Sequence, residues 1–376
     1  MNKLGKVVNE TMKGIVSPCI SVVFAFFISG ILLFLAGNNP LEAYSSLLNG
    51  AFGSSHRIAE TFVRAIPLMI LGLGISIAFK AQIWNIGGDG QFTLGAIFAM
   101  LTALYLPLPN IILFPLSFIA AFAGGACWGG IAGFLKTKFN ANEVITTLML
   151  NYIAFYLLEW LVKGPMMDPD GHGFPQTALI HEHLRLPIVL QGTRLHLGLL
   201  LAFVLILGGY FFWKTILGFK IEVVGQSPDV AEYSGIKVNK TIILTMFISA
   251  GLAGLAGWSE VFGVHYRLLE NISGGYGNLA IVVALLADLN PLGIIVSAFF
   301  FAALVVGGNT MQRMVGVPFS LVDVIQGLVI IFVISRVIYK RWRDHYAGKN
   351  ANNGIYHKFI RRFRKDECTD STCCSR

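Results

Sequence analysis

Residues 85–91 read NIGGDGQ, with Asn85, Asp89 and Gln91 set among Gly87, Gly88 and Gly90. The stretch lies between an apolar run that ends at Phe79 and another that extends from Phe92 to Leu106. An acid, two amides and three glycines would be ordinary in a surface loop, but the chain around them is not that of a surface protein. Of its 376 residues 55% are hydrophobic and 13% charged, and the mean hydropathy is +0.69, whereas a soluble domain carries about 25% charged residues. The apolar residues form continuous blocks near the ~20 needed to cross a bilayer, with charges gathered between them. This pattern points to an all-α polytopic membrane protein. A transmembrane β-barrel would instead show alternating segments of about ten residues.

Candidate crossings fall at 17–37, 61–79, 84–106, 111–135, 144–162, 197–213, 241–262, 272–289, 292–309 and 318–338. The first block is too long for a signal peptide, lacks its small-residue cleavage site and is followed by further spans, so a retained helix is expected. Ten crossings place both termini on one side. Lys3, Lys6 and Lys13 precede the first and Arg336, Lys340, Arg341 and Arg343 follow the last, and the positive-inside rule makes that side cytoplasmic. Lys80, Lys136, Lys138, Lys214, Lys220, Lys237 and Lys240 fall in the other loops that this topology calls internal. The net charge of +8 is explained by these positions and by the basic tail, so no nucleic-acid partner is expected.

The loops assigned outside, 38–60 and 163–196, are rich in turn residues, as in GPMMDPDGHGFPQ. Their His172, His181, His183 and His196 lack metal-ligand spacing and read as solvated loop histidines. Cys19 and Cys127 lie in apolar blocks, and Cys368, Cys373 and Cys374 lie in the tail without CxxC pairing; neither a metal nor a cofactor is expected.

Two crossings are too short as regular helices. Phe92–Leu106 would span about 22 Å and Leu279–Leu289 about 16 Å, against a hydrocarbon core of ~30 Å. What precedes the second is NISGGYGN at 271–278, which like NIGGDGQ begins Asn-Ile and passes through glycines into an apolar run. The two segments enter the third and eighth crossings, so each opens the third span of a five-span half, and the halves have opposite orientation. That is a 5+5 inverted-topology repeat with interrupted third and eighth spans, an arrangement in which broken helices mark the transport site.

Irregular backbone at membrane depth is tolerated only where it is buried in protein or lines a watery cavity. Asn85, Gln91, Asn271 and Asn278 each offer a donor and an acceptor, and suit an uncharged polyhydroxylated or amide-bearing solute. Asn151 and Gln326, in the fifth span of each half, are further pathway candidates, although interhelical hydrogen bonds account for them equally well. Asp89 is either a pathway group or, as we favour, an acid anchoring the start of the helix that follows it. Glu143, Glu159, Glu260, Asp288 and Asp323 fall near predicted span ends and are given no role. No fixed positive charge is recognised at a pathway position, which argues against a phosphorylated solute.

The longest internal loop, 214–240, contains VGQSPDVAEYSGIKVNK. Pro228 can open a helix, Asp229 favours its N-terminus and Gly235 can end it, giving two turns or fewer outside the membrane. Such a helix is either a connector or a docking knob.

Five ordered stretches carry a resemblance: AFKAQIWNIGGDGQFTLGAIFA, TLMLNYIAFYL, VGQSPDVAEYSGIKV, ISGGYGNLAIVVALL followed by NPLG, and VPFSLVDVIQGLVII. Together, over about Phe62 to Arg336, the chain resembles the permease subunit of bacterial ABC importers, in the nucleoside and simple-sugar branch related to ribose and branched-chain amino-acid permeases. The resemblance implies a homo- or heterodimer of permeases in the cytoplasmic (inner) membrane, an extracytoplasmic substrate-binding protein and a cytoplasmic ABC ATPase. It also implies that Gly225, Asp229, Ala231 and Gly235, with Pro228 between them, belong to an ATPase-coupling loop. Asn85, Gly87, Gly88, Asp89, Gly90 and Gln91 match the family's NIG-G-EG-Q pattern, with Asp89 in place of its usual Glu.

The organisation expected is a cytoplasmic N-terminus (1–16), a permease domain (17–338) and a basic cytoplasmic tail (339–376). The chain has no GxxxxGK[ST] phosphate loop and no nucleophile with its base, so it is not expected to be an enzyme. Alternatives are an ion-coupled secondary carrier working through Asp89, or a permease for branched-chain amino acids.

Overall fold

The computed structural model describes residues 23–318 except 172, together with 323–328, 331–332 and 335. The expectations for 1–16, Cys19, His172, the cations and cysteines of 339–376, and parts of the first and last crossings lie outside the described residues. The chain divides into two compact units, Leu33–Asp323 and the combination of Met1–Leu32 with Val324–Arg376. In the latter, the Phe24 and Phe332 rings approach to 6.0 Å between centroids.

The regular secondary structure of the described residues is helical, apart from two isolated bridges. In chain order the helices are α1 (Val23–Leu35), α2 (Pro40–Phe52), α3 (Ser55–Lys80), α4 (Gly88–Tyr105), α5 (Asn110–Phe139) and α6 (Glu143–Lys163). There follow α7 (Gly198–Phe212), α8 (Ile216–Gln226), α9 (Pro228–Tyr233), α10 (Val238–Glu260), α11 (Tyr276–Leu286) and α12 (Pro291–Val315). Among the described residues α3, α5, α6, α10 and α12 are long and apolar enough to cross a membrane; α7, in the expected crossing 197–213, passes that test only together with α8, from which it is bent by 70°. The shorter α1, α4 and α11 occupy other expected crossings. The protein is a multi-pass membrane protein.

Two boundaries differ from the sequence expectation. α4 begins at Gly88 and not at Phe92, so GDGQ forms its first turn and, of the expected crossing 84–106, only 84–87 stay unwound before it. Asp89 in that turn suits the positive end of the helix dipole, and 18 helical residues rise about 27 Å. α11 begins at Tyr276, earlier than Leu279, and stops at Leu286, because Asp288 and Leu289 take left-handed backbone at φ 52° and 58°.

α10 sits at the centre, packed against α3, α4 and α5. Lipid tails are as apolar as leucine, so helices in a bilayer associate by close packing and not by the hydrophobic effect. Gly254 shows how close the approach is: a Cβ there would run into the Ala121 carbonyl of α5. The C-terminal end of α10 runs into a π-helical turn, Val261–His265.

The segment 164–197 departs from a simple solvated loop. Its Thr177, Ile180 and Leu186 amides donate to the carbonyls of Leu268, Tyr266 and Phe262 at 3.2, 2.9 and 2.9 Å, so it lies over the end of α10. His181 and His183 are exposed as expected, but His196 is buried, and its Nδ1 accepts from the Gly198 amide at 3.1 Å.

Candidate functional site

The two glycine-rich segments meet. Asp89 comes from the first turn of α4, and its Oδ1 accepts a hydrogen bond from the Gly277 amide in the first turn of α11 at 2.8 Å. The Ser273 hydroxyl and the Asn278 amide are directed at the same carboxylate. The acid therefore anchors a helix start, but that of α11 and not the one expected: no side-chain bond caps α4, whose first turn Asp89 occupies. Gly277 makes the approach possible, since a Cβ there would strike the Asp89 backbone nitrogen. A Cβ on Gly88 would stand 3.2 Å from the Gly277 Cα, so the two helix ends touch backbone to backbone.

Around this joint the amides of the unwound stretch bond to one another. Asn85 Nδ2 donates to Gln91 Oε1 at 3.0 Å, and Gln91 Nε2 returns a bond to Asn85 Oδ1 at 2.9 Å. Asn85 Nδ2 also reaches Ser249 Oγ on α10 at 3.1 Å, while Asn85 Oδ1 accepts from the Gly87 amide at 3.0 Å. From α6, Asn151 Oδ1 accepts from the Gly90 amide at 2.8 Å and its Nδ2 donates to the Ile86 carbonyl at 3.0 Å. Thr147 Oγ1 accepts from the Ile86 amide at 3.3 Å. The backbone at Ile86, Gly87 and Gly90, on either side of the start of α4, thus finds partners from α6 and from Asn85, as burial at membrane depth requires.

Asn85, Asp89, Gln91 and Asn151 are all buried: the amides brace the stretch 85–90, and Asp89 holds the start of α11. Asn271 and Asn278 are exposed, and Asn271 holds left-handed backbone at φ 56°. Gln326 is half-buried in the helical residues 323–328 and belongs to the other unit.

Beside the joint is a charged group that the sequence reading did not single out. Arg64 of α3 donates from Nη1 to the Tyr276 hydroxyl at 2.6 Å. Tyr276 is the first residue of α11, and its buried ring stands 6.2 Å from that of Phe92, the first apolar residue of α4. Arg64 is a cation inside the expected span 61–79, and it stands beside the joint. A charge within an apolar run was the available signal. Glu260, assigned no role because it falls near a span end, is 2% exposed and lies 3.3 Å from His265 Nε2. The end of α10 is covered by the segment 164–197, which is why the acid is not in water.

At the other end of α3 lies the 214–240 segment. α9 is the short helix expected, opened by Pro228 with Ser227 as N-cap and Asp229 in its first turn. It is closed by Gly235 at φ 78°, with the Ile236 amide donating to the Ala231 carbonyl at 2.9 Å. α8, which sequence reading left as loop, precedes it. Gly225 on α8 lies flush against α3, where a Cβ would meet the Lys80 carbonyl, and Ala231 is buried. Val230 and Tyr233 stand exposed on α9, Tyr233 almost completely.

A family profile described as branched-chain amino acid transport system / permease component matches residues 57–334. The chain is 34% identical to the glucose ABC transporter permease protein TsgB13 of Haloferax volcanii, over 90% of this chain and 91% of that one. It is 33% identical to the guanosine ABC transporter permease protein NupP of Bacillus subtilis, over 89% of this chain and 97% of the relative. With the nucleoside ABC transporter permease protein NupB of Lactococcus lactis subsp. cremoris the identity is 34%, over 88% and 93%.

Proposed function

Because the chain belongs to the branched-chain amino acid transport system permease-component family, we propose that it is the membrane subunit of an ATP-driven importer for a nucleoside or a simple sugar. The observation that carries the reading is the α8–α9 surface. It is an exposed knob with Val230 and Tyr233 outward, and Gly225 fixes it to the base of α3. α3 runs from there to Arg64 beside the α4–α11 joint. Force applied by a partner at α9 reaches the broken helices through α3, a single helix with Pro67 inside it. The printed functions of the similar permeases, for glucose, guanosine and nucleosides, supply the solute class.

In this reading the chain crosses the bacterial cytoplasmic membrane ten times as two inverted halves, with both termini and 214–240 in the cytoplasm. It pairs with a second permease subunit, receives solute from an extracytoplasmic binding protein and is driven by a cytoplasmic ATPase that docks on the loop built by Gly225, Pro228, Asp229, Ala231 and Gly235. Asn85, Asp89, Gln91, Asn151, Asn271 and Asn278 frame the solute path. The buried amides brace the stretch 85–90, Asp89 holds the start of α11, and the exposed Asn271 and Asn278 offer free amides to a hydroxylated solute.

The solute class is tested by competition. Cells carrying the chain with its partner subunits take up a labelled nucleoside, and unlabelled glucose, ribose, nucleosides and leucine are added in excess. Competition by nucleosides or sugars supports the proposal; competition by leucine alone replaces it with a branched-chain amino-acid permease.

A further inference from the structure

A line of polar contacts joins the segment 164–197 to the first turn of α11, and the frame of the solute path does not account for it. Arg194 grips Glu60 with two bonds, Nε to Oε2 at 3.3 Å and Nη2 to Oε1 at 2.6 Å. Glu60 lies one turn before Arg64 on α3, its Oε1 3.9 Å from Arg64 Nε. Arg64 Nη1 then donates to the Tyr276 hydroxyl at 2.6 Å. The next residue, Gly277, is the one whose amide Asp89 holds. The first turn of α11 is therefore held twice: by Asp89 on its backbone, and by Arg64 on its side chain.

The two holds are built differently. The Asp89 contact is buried among backbones that glycines bring together, and it has no room to open without moving whole helices. The Arg64 contact is made by a long side chain that keeps a third of its surface exposed. Tyr276 presents a ring that packs on Phe92 and a hydroxyl that reaches Arg64. An apolar pair would fill the same space without a charge in the span, so packing alone does not call for a guanidinium. What the guanidinium adds is a bond that is strong when closed and that water replaces when open.

We infer that Arg64 is a positioning residue of the transport cycle. Through Tyr276 it holds the start of α11 closed over Phe92, and Glu60 and Arg194 make that hold sensitive to the segment 164–197. The inference rests on the importer reading only for its partner: the binding protein is what would press on that segment and release Arg194.

The test uses the full chain in membrane vesicles, with its five native cysteines replaced and a reporter, Ser273→Cys, beside Asp89. Ser273 is 1% exposed, so a charged thiosulfonate reagent modifies the reporter only when the joint opens. Tyr276→Phe keeps the ring and removes the hydroxyl; Arg64→Gln and Arg194→Ala break the line at its other points. The labelling rate is expected to rise about tenfold in Tyr276→Phe and Arg64→Gln, the scale of losing one charge-assisted hydrogen bond, and to rise also in Arg194→Ala. Arg57→Ala removes another α3 arginine, which bonds the Asn49 carbonyl away from this line, and should leave the rate unchanged. An unchanged rate in Tyr276→Phe overturns the inference, and that variant decides even where Arg64→Gln fails to accumulate. Labelling needs neither solute nor ATP, so this result and the fate of the importer reading are independent.

Discussion

Asp89 and Gly277 lie 188 positions apart in the chain and are joined by a 2.8 Å hydrogen bond from the Gly277 amide to the Asp89 carboxylate. Each belongs to the first turn of a helix that starts inside the protein. Unpaired amides and the aligned peptide dipoles make a helix start electropositive, and two such starts facing each other would repel. The carboxylate of Asp89 lies between them. A glycine-rich stretch that looked like an interruption in a span is one half of a joint, and NISGGYGN is the other.

Removing the acid should loosen that joint. Asp89→Ala leaves the Gly277 amide buried without an acceptor, a loss of about 1.5–3 kcal/mol for a bond to a charged group. Asp89→Asn keeps one acceptor oxygen and should lose less. Thermal unfolding in detergent is the measurement, and an Asp89→Ala protein that unfolds at the wild-type temperature would contradict the joint.

The Asn85–Gln91 amide pair should behave as one unit. Asn85→Leu strands both Gln91 and the Gly87 amide, at about 1–3 kcal/mol for each buried group left unpaired. The Asn85→Leu, Gln91→Leu double variant should cost less than the sum of the two singles, with a coupling of about 0.5–3 kcal/mol. Strict additivity in a double-mutant cycle would mean the two side chains do not hold each other.

Glycines in this chain should separate into two kinds. Gly254→Ala drives a methyl group into the Ala121 carbonyl, an overpacking expected to cost about 1–3 kcal/mol. Gly208→Ala in α7 meets open space, so it should be neutral or stabilising by about 0.5–1 kcal/mol, the helix-interior difference between the two residues. Equal stability of the two variants would show that α5 and α10 are farther apart than described.

At the base of α3 the expectation concerns coupling more than folding. Gly225→Val wedges α8 away from the Lys80 carbonyl, and Gly235→Ala strains a left-handed position by about 1–2 kcal/mol. The Gly225→Val protein should still insert, yet show several-fold less uptake per ATP hydrolysed. Unchanged stoichiometry would mean that α8 and α3 move independently.

Local features were readable from the sequence, and meetings between distant segments were not. Pro228, Asp229 and Gly235 mark α9 because capping and dipole effects act within one turn. NIGGDGQ and NISGGYGN stand out because the apolar runs after them are short. That Asp89 would bind Gly277, or that Asn151 would hold the Gly90 amide, depends on how helices are stacked, and no local periodicity encodes that. Glu260 was misjudged for a similar reason: closeness to a span end implies water only when nothing covers the end, and here 164–197 does. Arg64 was within reach of the sequence, as a cation inside an apolar run. α8 was not, because its eleven residues carry charges and follow a 70° bend.

The central claim, that partner-driven ATP hydrolysis moves solute through this chain, is tested most directly by uptake of a labelled nucleoside or sugar into cells expressing the importer. Cellular ATP is depleted while the ion gradients are kept, and in a second arm the gradients are collapsed while ATP is kept. Uptake should stop in the first arm and persist in the second, and the combined Asp229→Ala, Gly235→Ala variant should abolish it while the protein remains inserted. Uptake that follows the ion gradients, or that survives the double substitution undiminished, would contradict the account and identify an ion-coupled carrier.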